Sequence, residues 1–256
     1  MYHHTNKENG EYMKVAIITG GNRGIGKSAA LNLASRGVGV ILTYNSHSEE
    51  AAVAVSEIEK LGGKAVALKL DVGKIGTFDE FAAQVSQTLA STWQRTTFDY
   101  LVNNAGIAQR TPIAKATEQQ FDELVNVHFK GVFFLTQKLL PLMADCGHVI
   151  FVSSGLTRFS TPVGVAVYAA LKGAVEVLTR YVAVEYSSRK IRANCVAPGA
   201  LDTEFGGGRT DEQRKMIGEH SLSGRIGLAD DIGPLIAVLL SEDCRWVNGQ
   251  RIEATG

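Results

Sequence analysis

The stretch VIFVSSGLTRFSTPVGVAVYAALKGA, Val149 to Ala174, holds a phenol, an amine and two hydroxyls at spacings that could move a proton. Tyr168 and Lys172 stand four apart at the start of an expected helix, so they share one face. An ammonium beside a phenol favours the phenolate and draws a reference pKa of about 10 toward neutrality. Ser153 and Ser154 close an expected strand, and a serine hydroxyl there can hydrogen-bond a carbonyl oxygen. Together these groups suit acid/base work on a carbonyl/alcohol pair. Tyr-x3-Lys also arises by chance as a surface pair, so its meaning depends on what else the chain carries.

A second stretch, Val15 to Ala34, could hold an anion. Val15, Ala16, Ile17 and Ile18 read as a buried parallel strand, while Ile25, Ala29, Ala30, Leu33 and Ala34 recur at helical spacing. Between them Gly20, Gly21, Gly24 and Gly26 make a turn that runs into a helix N-terminus. Glycines let the backbone approach a pyrophosphate, and free N–H groups and the helix dipole point at it. The spacing is Gly-x3-Gly-x-Gly rather than the Gly-x-Gly-x-x-Gly of the usual dinucleotide fingerprint. Glycines also serve plain turns, but a position between a clean strand and a clean helix favours a cofactor site.

The elements that must carry these groups alternate along the chain. Strands are expected at Val38–Tyr44, Lys64–Leu70, Phe98–Val102, His148–Val152 and Arg192–Val196. Helices are expected at Ser48–Leu61, Thr77–Ala90, about Glu118–Met143 and about Tyr168–Ser187. Such alternation predicts an α/β fold: a single-domain, Rossmann-type, doubly wound parallel sheet with helices on both faces. Residues 14–256 form that domain, and residues 1–13 read as a polar, tag-like or disordered tail. Pro198 to about Ser223 reads as irregular, a lid over the carboxyl ends of the strands, with the substrate loop at about 199–223.

Composition narrows the partners. Basic and acidic residues number 26 each, which gives no electrostatic footprint for nucleic acid or an anionic membrane. No apolar run is long enough to span a bilayer, and the start lacks a signal peptide's apolar segment. Cys146, Cys195 and Cys244 are too few and too scattered for a disulfide framework or a zinc site, so a cytoplasmic setting is expected. His3 and His4 lie in the tail, while His47, His128, His148 and His220 stand apart and read as structural or surface residues; no metal site is expected.

With TGGNRGIG at Thr19–Gly26, NNAG at Asn103–Gly106, YAALK at Tyr168–Lys172 and Pro198-Gly199, the chain resembles the short-chain dehydrogenase/reductase family. The motif order and intervals match the family's from about Lys14 to the C-terminus, and the chain resembles its 3-oxoacyl-reductase-like members. The resemblance implies that Tyr168 is the general acid/base and that Lys172 lowers its pKa and binds the nicotinamide ribose. It implies that Ser154 polarises the substrate carbonyl and that Asn126, in VNVHFKG, supports a water-mediated relay to the lysine. Ser154 precedes Tyr168 by one residue more than the family's usual interval, which predicts an atypical loop over Gly155–Val167. For the cofactor, the resemblance implies Gly20, Asn22, Arg23, Gly24, Ile25 and Gly26 around the pyrophosphate, with Asp71 and Val72 at the adenine. Asn103, Ala105 and Gly106 would form the floor beneath it, and Pro198, Gly199 and Thr203 would touch the nicotinamide, beside Tyr168 and Lys172. Association as a homotetramer or homodimer is implied as well.

The cofactor's identity rests on the end of the second strand. Leu42-Thr43-Tyr44-Asn45-Ser46 carries no carboxylate to accept from the ribose hydroxyls, which leaves room for a 2′-phosphate. Arg23 could reach that phosphate with a forked, charge-assisted contact, and Tyr44, Asn45 and Ser46 line the same end. Glu49 and Glu50 would repel a phosphate if they faced it; they read instead as opening the next helix. NADP(H) is therefore favoured over NAD(H). The expected activity interconverts a carbonyl and a secondary alcohol of a small molecule, a ketone or a 3-oxoacyl thioester. The alternatives are an NAD-dependent alcohol dehydrogenase and a non-catalytic nucleotide-binding regulator. Leu156, Phe159, Val163, Leu201 and Phe205 suggest an apolar pocket lining, with Arg158 or Arg209 to meet an anionic group.

Overall fold

The computed structural model describes residues 12–161 and 164–256, so Val163 and most of the expected tail, with His3 and His4, lie outside the described residues. In chain order the elements are β1 (Val15–Ile18), α1 (Gly24–Ala34), β2 (Gly39–Tyr44), α2 (Ser48–Lys60), β3 (Ala65–Lys69), α3 (Phe78–Thr88) and β4 (Phe98–Asn103). There follow α4 (Glu118–Val125), α5 (Gly131–Leu139), β5 (Met143–Val152), α6 (Ala166–Glu185) and β6 (Arg192–Pro198). The chain closes with β7 (Leu201–Asp202), α7 (Asp211–His220), β8 (Gly227–Leu228), α8 (Ala229–Leu240) and β9 (Arg251–Ala254).

Seven strands pair in parallel in the order β3-β2-β1-β4-β5-β6-β9, and β7 and β8 make a small separate pair. Along β1 alternate side chains leave by opposite faces, and both faces are covered. Val15 and Ile17 join Phe78, Phe81, Leu135 and Val175 under α3, α5 and α6. Ala16 and Ile18 join Ala29, Leu33, Ile58 and Ile236 under α1, α2 and α8. All four residues of β1 are fully buried, which is why the strand reads as an unbroken apolar run. Each such aliphatic side chain contributes roughly 1.5–3 kcal/mol by leaving water. The sheet order reverses between β1 and β4, and the crevice at their carboxyl ends is where ligands sit in open α/β sheets.

Three segments differ from the sequence expectation. The helical region expected over Glu118–Met143 is broken by a widened, π-type turn at Asn126–Lys130, and Met143 already belongs to β5. The stretch expected to be irregular contains α7, whose N-terminus is closed by a reciprocal capping box between Thr210 and Gln213. Beyond it, α8 and the edge strand β9 complete the sheet. Among the described residues, no helix is long and apolar enough to cross a membrane.

Candidate active site

The carboxyl end of β5 delivers two buried serines with different fates. Ser153 turns away, its Oγ donating to the Glu176 carboxylate at 2.7 Å. Ser154 caps a short helical turn at Gly155–Thr157, accepting from the Leu156 N–H at 3.3 Å. Its hydroxyl also meets Tyr168 in the first turn of α6. Lys172 lies one turn further on and is 5% exposed. Its Nζ donates to the Val152 carbonyl at 2.7 Å and stands 5.6 Å from the centroid of the Tyr168 ring.

The expected electrostatics need correction. Burial pushes the Tyr168 phenol up to about 12, with the Ser154 hydrogen bond opposing it. Burial likewise pulls Lys172 down to about 8. Desolvation penalises both charged forms, and at Tyr168 it outweighs the Ser154 hydrogen bond. The phenol is therefore protonated at neutral pH and available as a donor.

Asn126 is half-buried at the start of the widened turn, and among the described residues its side chain makes no direct hydrogen bond. The same turn carries His128 inward. His128 is 0% exposed, and its ring meets Tyr168 edge-on with centroids 5.0 Å apart. Its Nε2 lies 2.8 Å from the Ile107 carbonyl oxygen and 3.3 Å from the Ile107 N–H. The shorter contact assigns the tautomer, with Nε2–H donating to the carbonyl. Nδ1 is then a buried acceptor with no partner among the described residues. Burial, reinforced by Lys172, pushes His128 down to about 3 and keeps it neutral. Gly106 makes room for the ring, since a Cβ there would stand 2.8 Å from His128 Cε1. A sequence signal for His128 existed: it stands four residues after Leu124 and four before Val132, both buried, on an inward helical stripe that Asn126 misses.

The glycine turn is held by the segment after β4. Thr19 Oγ1 accepts from the N–H groups of Asn104 and Ala105, and Asn104 Nδ2 donates to the carbonyls of Thr19 and Gly20. Gly26 is required by close approach: a Cβ there would overlap the Gly20 carbonyl and stand 2.6 Å from Asn104 Nδ2. Gly24 has φ +55°, and the space beside it is open. No side chain among the described residues caps the N-terminus of α1, which leaves its first N–H groups free for an anion. The turn thus fits a pyrophosphate. Ile25 packs partly against the core, while Asn22 and Arg23 both turn to Glu50, at 2.8 Å and 3.8 Å.

The other expected contacts ring the same crevice. Tyr44, Asn45 and Ser46 end β2, with Ser46 Oγ 3.0 Å from His47 Nδ1. Asp71 and Val72 follow β3, where Asp71 accepts from the Gly73 N–H at 2.9 Å. The Asn103 side chain donates to Thr136 Oγ1 at 3.0 Å, and Ala105 and Gly106 follow it in the segment after β4. Asn104, which holds the turn, was missed as a functional side chain. Pro198 ends β6, the Gly199 N–H donates to Ala254, and Thr203 Oγ1 accepts from the Phe205 N–H. Phe205 lies over the site, its ring centroid 6.3 Å from that of Tyr168. Of the two arginines expected to meet an anion, Arg158 pairs with Glu253, and Arg209 Nε donates to the Leu201 carbonyl.

Comparison with known proteins identifies the family. A family model described as enoyl-(acyl carrier protein) reductase matches residues 20–256. The hydroxynaphthalene reductase-like protein Arp2 of Metarhizium brunneum is 34% identical over 256 residues, covering 95% of this chain and 94% of its own. The crystal structure of the angucycline C-6 ketoreductase LanV with bound NADP superposes with a TM-score of 0.90 at 35% identity, covering 95% of this chain and 94% of its own. A short-chain dehydrogenase/reductase variant from Serratia marcescens superposes at 0.86 and 29% identity, covering 95% of this chain and 96% of its own. By motif, fold and relatedness, the chain belongs to the short-chain dehydrogenase/reductase family of oxidoreductases.

Proposed function

We propose that this protein reduces a bulky aromatic ketone to the secondary alcohol, with NADPH as the reductant and Tyr168 as the proton donor. The observation that carries the reading is the convergence of Tyr168, Ser154 and Lys172 beside the glycine turn, with the phenol held in its protonated form. When bound, the dinucleotide supplies a hydride to the carbonyl carbon. Ser154 Oγ and the Tyr168 hydroxyl would both donate to the carbonyl oxygen, stabilising the charge that develops there, and the tyrosine gives up its proton. Lys172 stabilises the phenolate that remains. Asn126 would support a water-mediated relay to Lys172, and Nδ1 of His128, on a ring that meets Tyr168, offers a further acceptor for such a water.

Gly20, Gly24 and Gly26 would cradle the pyrophosphate, and Arg23 would meet the 2′-phosphate beside Tyr44, Asn45 and Ser46. The NADP-bound ketoreductase neighbour supports that choice over NAD(H). An aromatic ketone is favoured over a 3-oxoacyl thioester for two reasons. Half-exposed Phe205 sets an aromatic ring 6.3 Å from that of Tyr168, and Arg158 is paired with Glu253. The names of the relatives, a hydroxynaphthalene reductase-like protein and an angucycline ketoreductase, point the same way. Exposed Phe133, Phe134, Tyr181 and Val184 on α5 and α6 support association of copies through these helices.

The test is oxidation of NADPH, with NADH in parallel, against bicyclic aromatic ketones, 3-oxoacyl esters and simple aldehydes. Bicyclic ketones with NADPH should react fastest, and Tyr168→Phe should lower kcat about 100-fold or more while dinucleotide binding persists. Faster reduction of 3-oxoacyl esters would reassign the substrate, and faster turnover with NADH would reassign the cofactor. An active Tyr168→Phe variant would remove tyrosine from the mechanism, and tight dinucleotide binding without any turnover would favour the regulatory alternative.

A further inference from the structure

In dinucleotide-binding sheets, the end of the second strand meets the adenosine ribose: a carboxylate there accepts from the 2′-hydroxyl, or a nearby arginine takes the 2′-phosphate. This chain has no acidic residue at the end of β2, but it brings one back from α2. Glu50 stands in the first turn of α2, where the helix dipole suits an acidic side chain. Its side chain turns toward the glycine turn, where Oε2 accepts from Asn22 Nδ2 at 2.8 Å. Oε1 stands 3.8 Å from the Arg23 guanidinium. Asn22 is 9% exposed, so the contact that aims the carboxylate is largely shielded from water. The nearby Lys27 is taken by Glu57 at 2.8 Å, which leaves Arg23 as the cation facing Glu50.

We propose that Glu50 is a specificity-determining residue that occupies Arg23 and so narrows the protein's preference for a 2′-phosphorylated dinucleotide over its unphosphorylated counterpart. This rests on the cofactor site proposed above. A 2′-phosphate must displace the carboxylate from Arg23 and then bind with a like charge close by. An uncharged 2′-hydroxyl meets neither penalty and can donate to Glu50. Glu50 therefore opposes the arginine that the sequence offers for the phosphate, and the two cofactors are drawn closer in affinity.

Glu50→Gln removes the charge and keeps an acceptor for Asn22, so it separates electrostatics from loop geometry. Fluorescence titration of the full chain with NADPH and with NADH reads the effect without any turnover. NADPH should bind about three- to fivefold more tightly to Glu50→Gln, with NADH changed less than about twofold, the scale of one half-exposed charge contact. The NADPH gain should shrink at high ionic strength, where exposed charges are screened. Unchanged or weaker NADPH binding overturns the proposal. So does equal tightening of both dinucleotides, which would mean that Glu50 acts through the shape of the turn. Should Glu50→Gln unfold at lower urea than the parent, Glu50→Asp is titrated beside it, and its NADPH affinity should stay at the parent's value. A parent chain that binds neither dinucleotide overturns the proposal together with the cofactor site. Loss of ketone turnover alone overturns only the catalytic reading.

Discussion

Acid should unfold this protein through its buried histidines before its carboxylates titrate. His128 and His148 are both fully buried, and burial pushes each down to about 3, reinforced by Lys172 at the first and Arg192 at the second. In the unfolded chain each takes a proton near 6.5. Between those values the unfolded state binds protons that the folded state refuses, so stability falls as pH drops from about 6.5 toward about 3. At about pH 4.5, two units into that window, each histidine costs ~3 kcal/mol. The pair then removes roughly 5 kcal/mol from a total that for ordinary domains is about 5–15 kcal/mol. Glu242 and Glu253 are held below an ordinary value of 4.5, and Asp231 at about 2 lies below its ordinary 3.8. Their contribution is lost only below that range, so the interval from about pH 6.5 to about 4.5 isolates the histidines. Urea unfolding followed by fluorescence of the buried Trp93 at several pH values measures the slope. His128→Asn removes one titration and keeps a donor for the Ile107 carbonyl, so its slope should be about half that of the parent. Parallel slopes in parent and variant, or stability flat across the interval, would refute the reasoning.

Two further perturbations test the supports of the site. Gly26→Ala would press a methyl group onto the Gly20 carbonyl and Asn104 Nδ2, so it should cost ~1–3 kcal/mol and weaken dinucleotide binding at least about tenfold. Titration and urea unfolding check both effects, and normal binding would contradict the close-approach argument. Glu176 accepts from Ser153, Thr157 and Arg251 within 2.6–2.7 Å and ties α6 to β9 beneath Ser154. Glu176→Gln should lower stability by ~1–3 kcal/mol at neutral pH, because Arg251 loses a nearly buried charged partner. Unfolding at the parent's urea concentration would show that Glu253 alone satisfies Arg251.

What the sequence determined by itself was local. An apolar β-branched run before a glycine turn could only be a buried strand entering a helix, and β1 and α1 follow from nearest neighbours along the chain. The pairing of Tyr168 with Lys172 is likewise local, because residues four apart share a face wherever the helix lies. The parallel sheet followed from alternation, although β9 did not: a short edge strand reading Arg-Ile-Glu-Ala has no apolar signature. Other features needed contacts distant in sequence. His128 lies on an inward stripe that the sequence shows, but its edge-on contact with Tyr168 exists only once α6 has packed beside the widened turn. The family resemblance already selected Ser154, but the fate of Ser153 is tertiary: Glu176 in α6 accepts from its hydroxyl and draws it away. Glu50 reads as a helix opener until α2 folds back and sets it against Arg23. Tyr168 shifts opposite to its sequence expectation because that expectation counts the neighbouring charge, whereas burial, the larger effect, exists only once the helix has packed on the sheet.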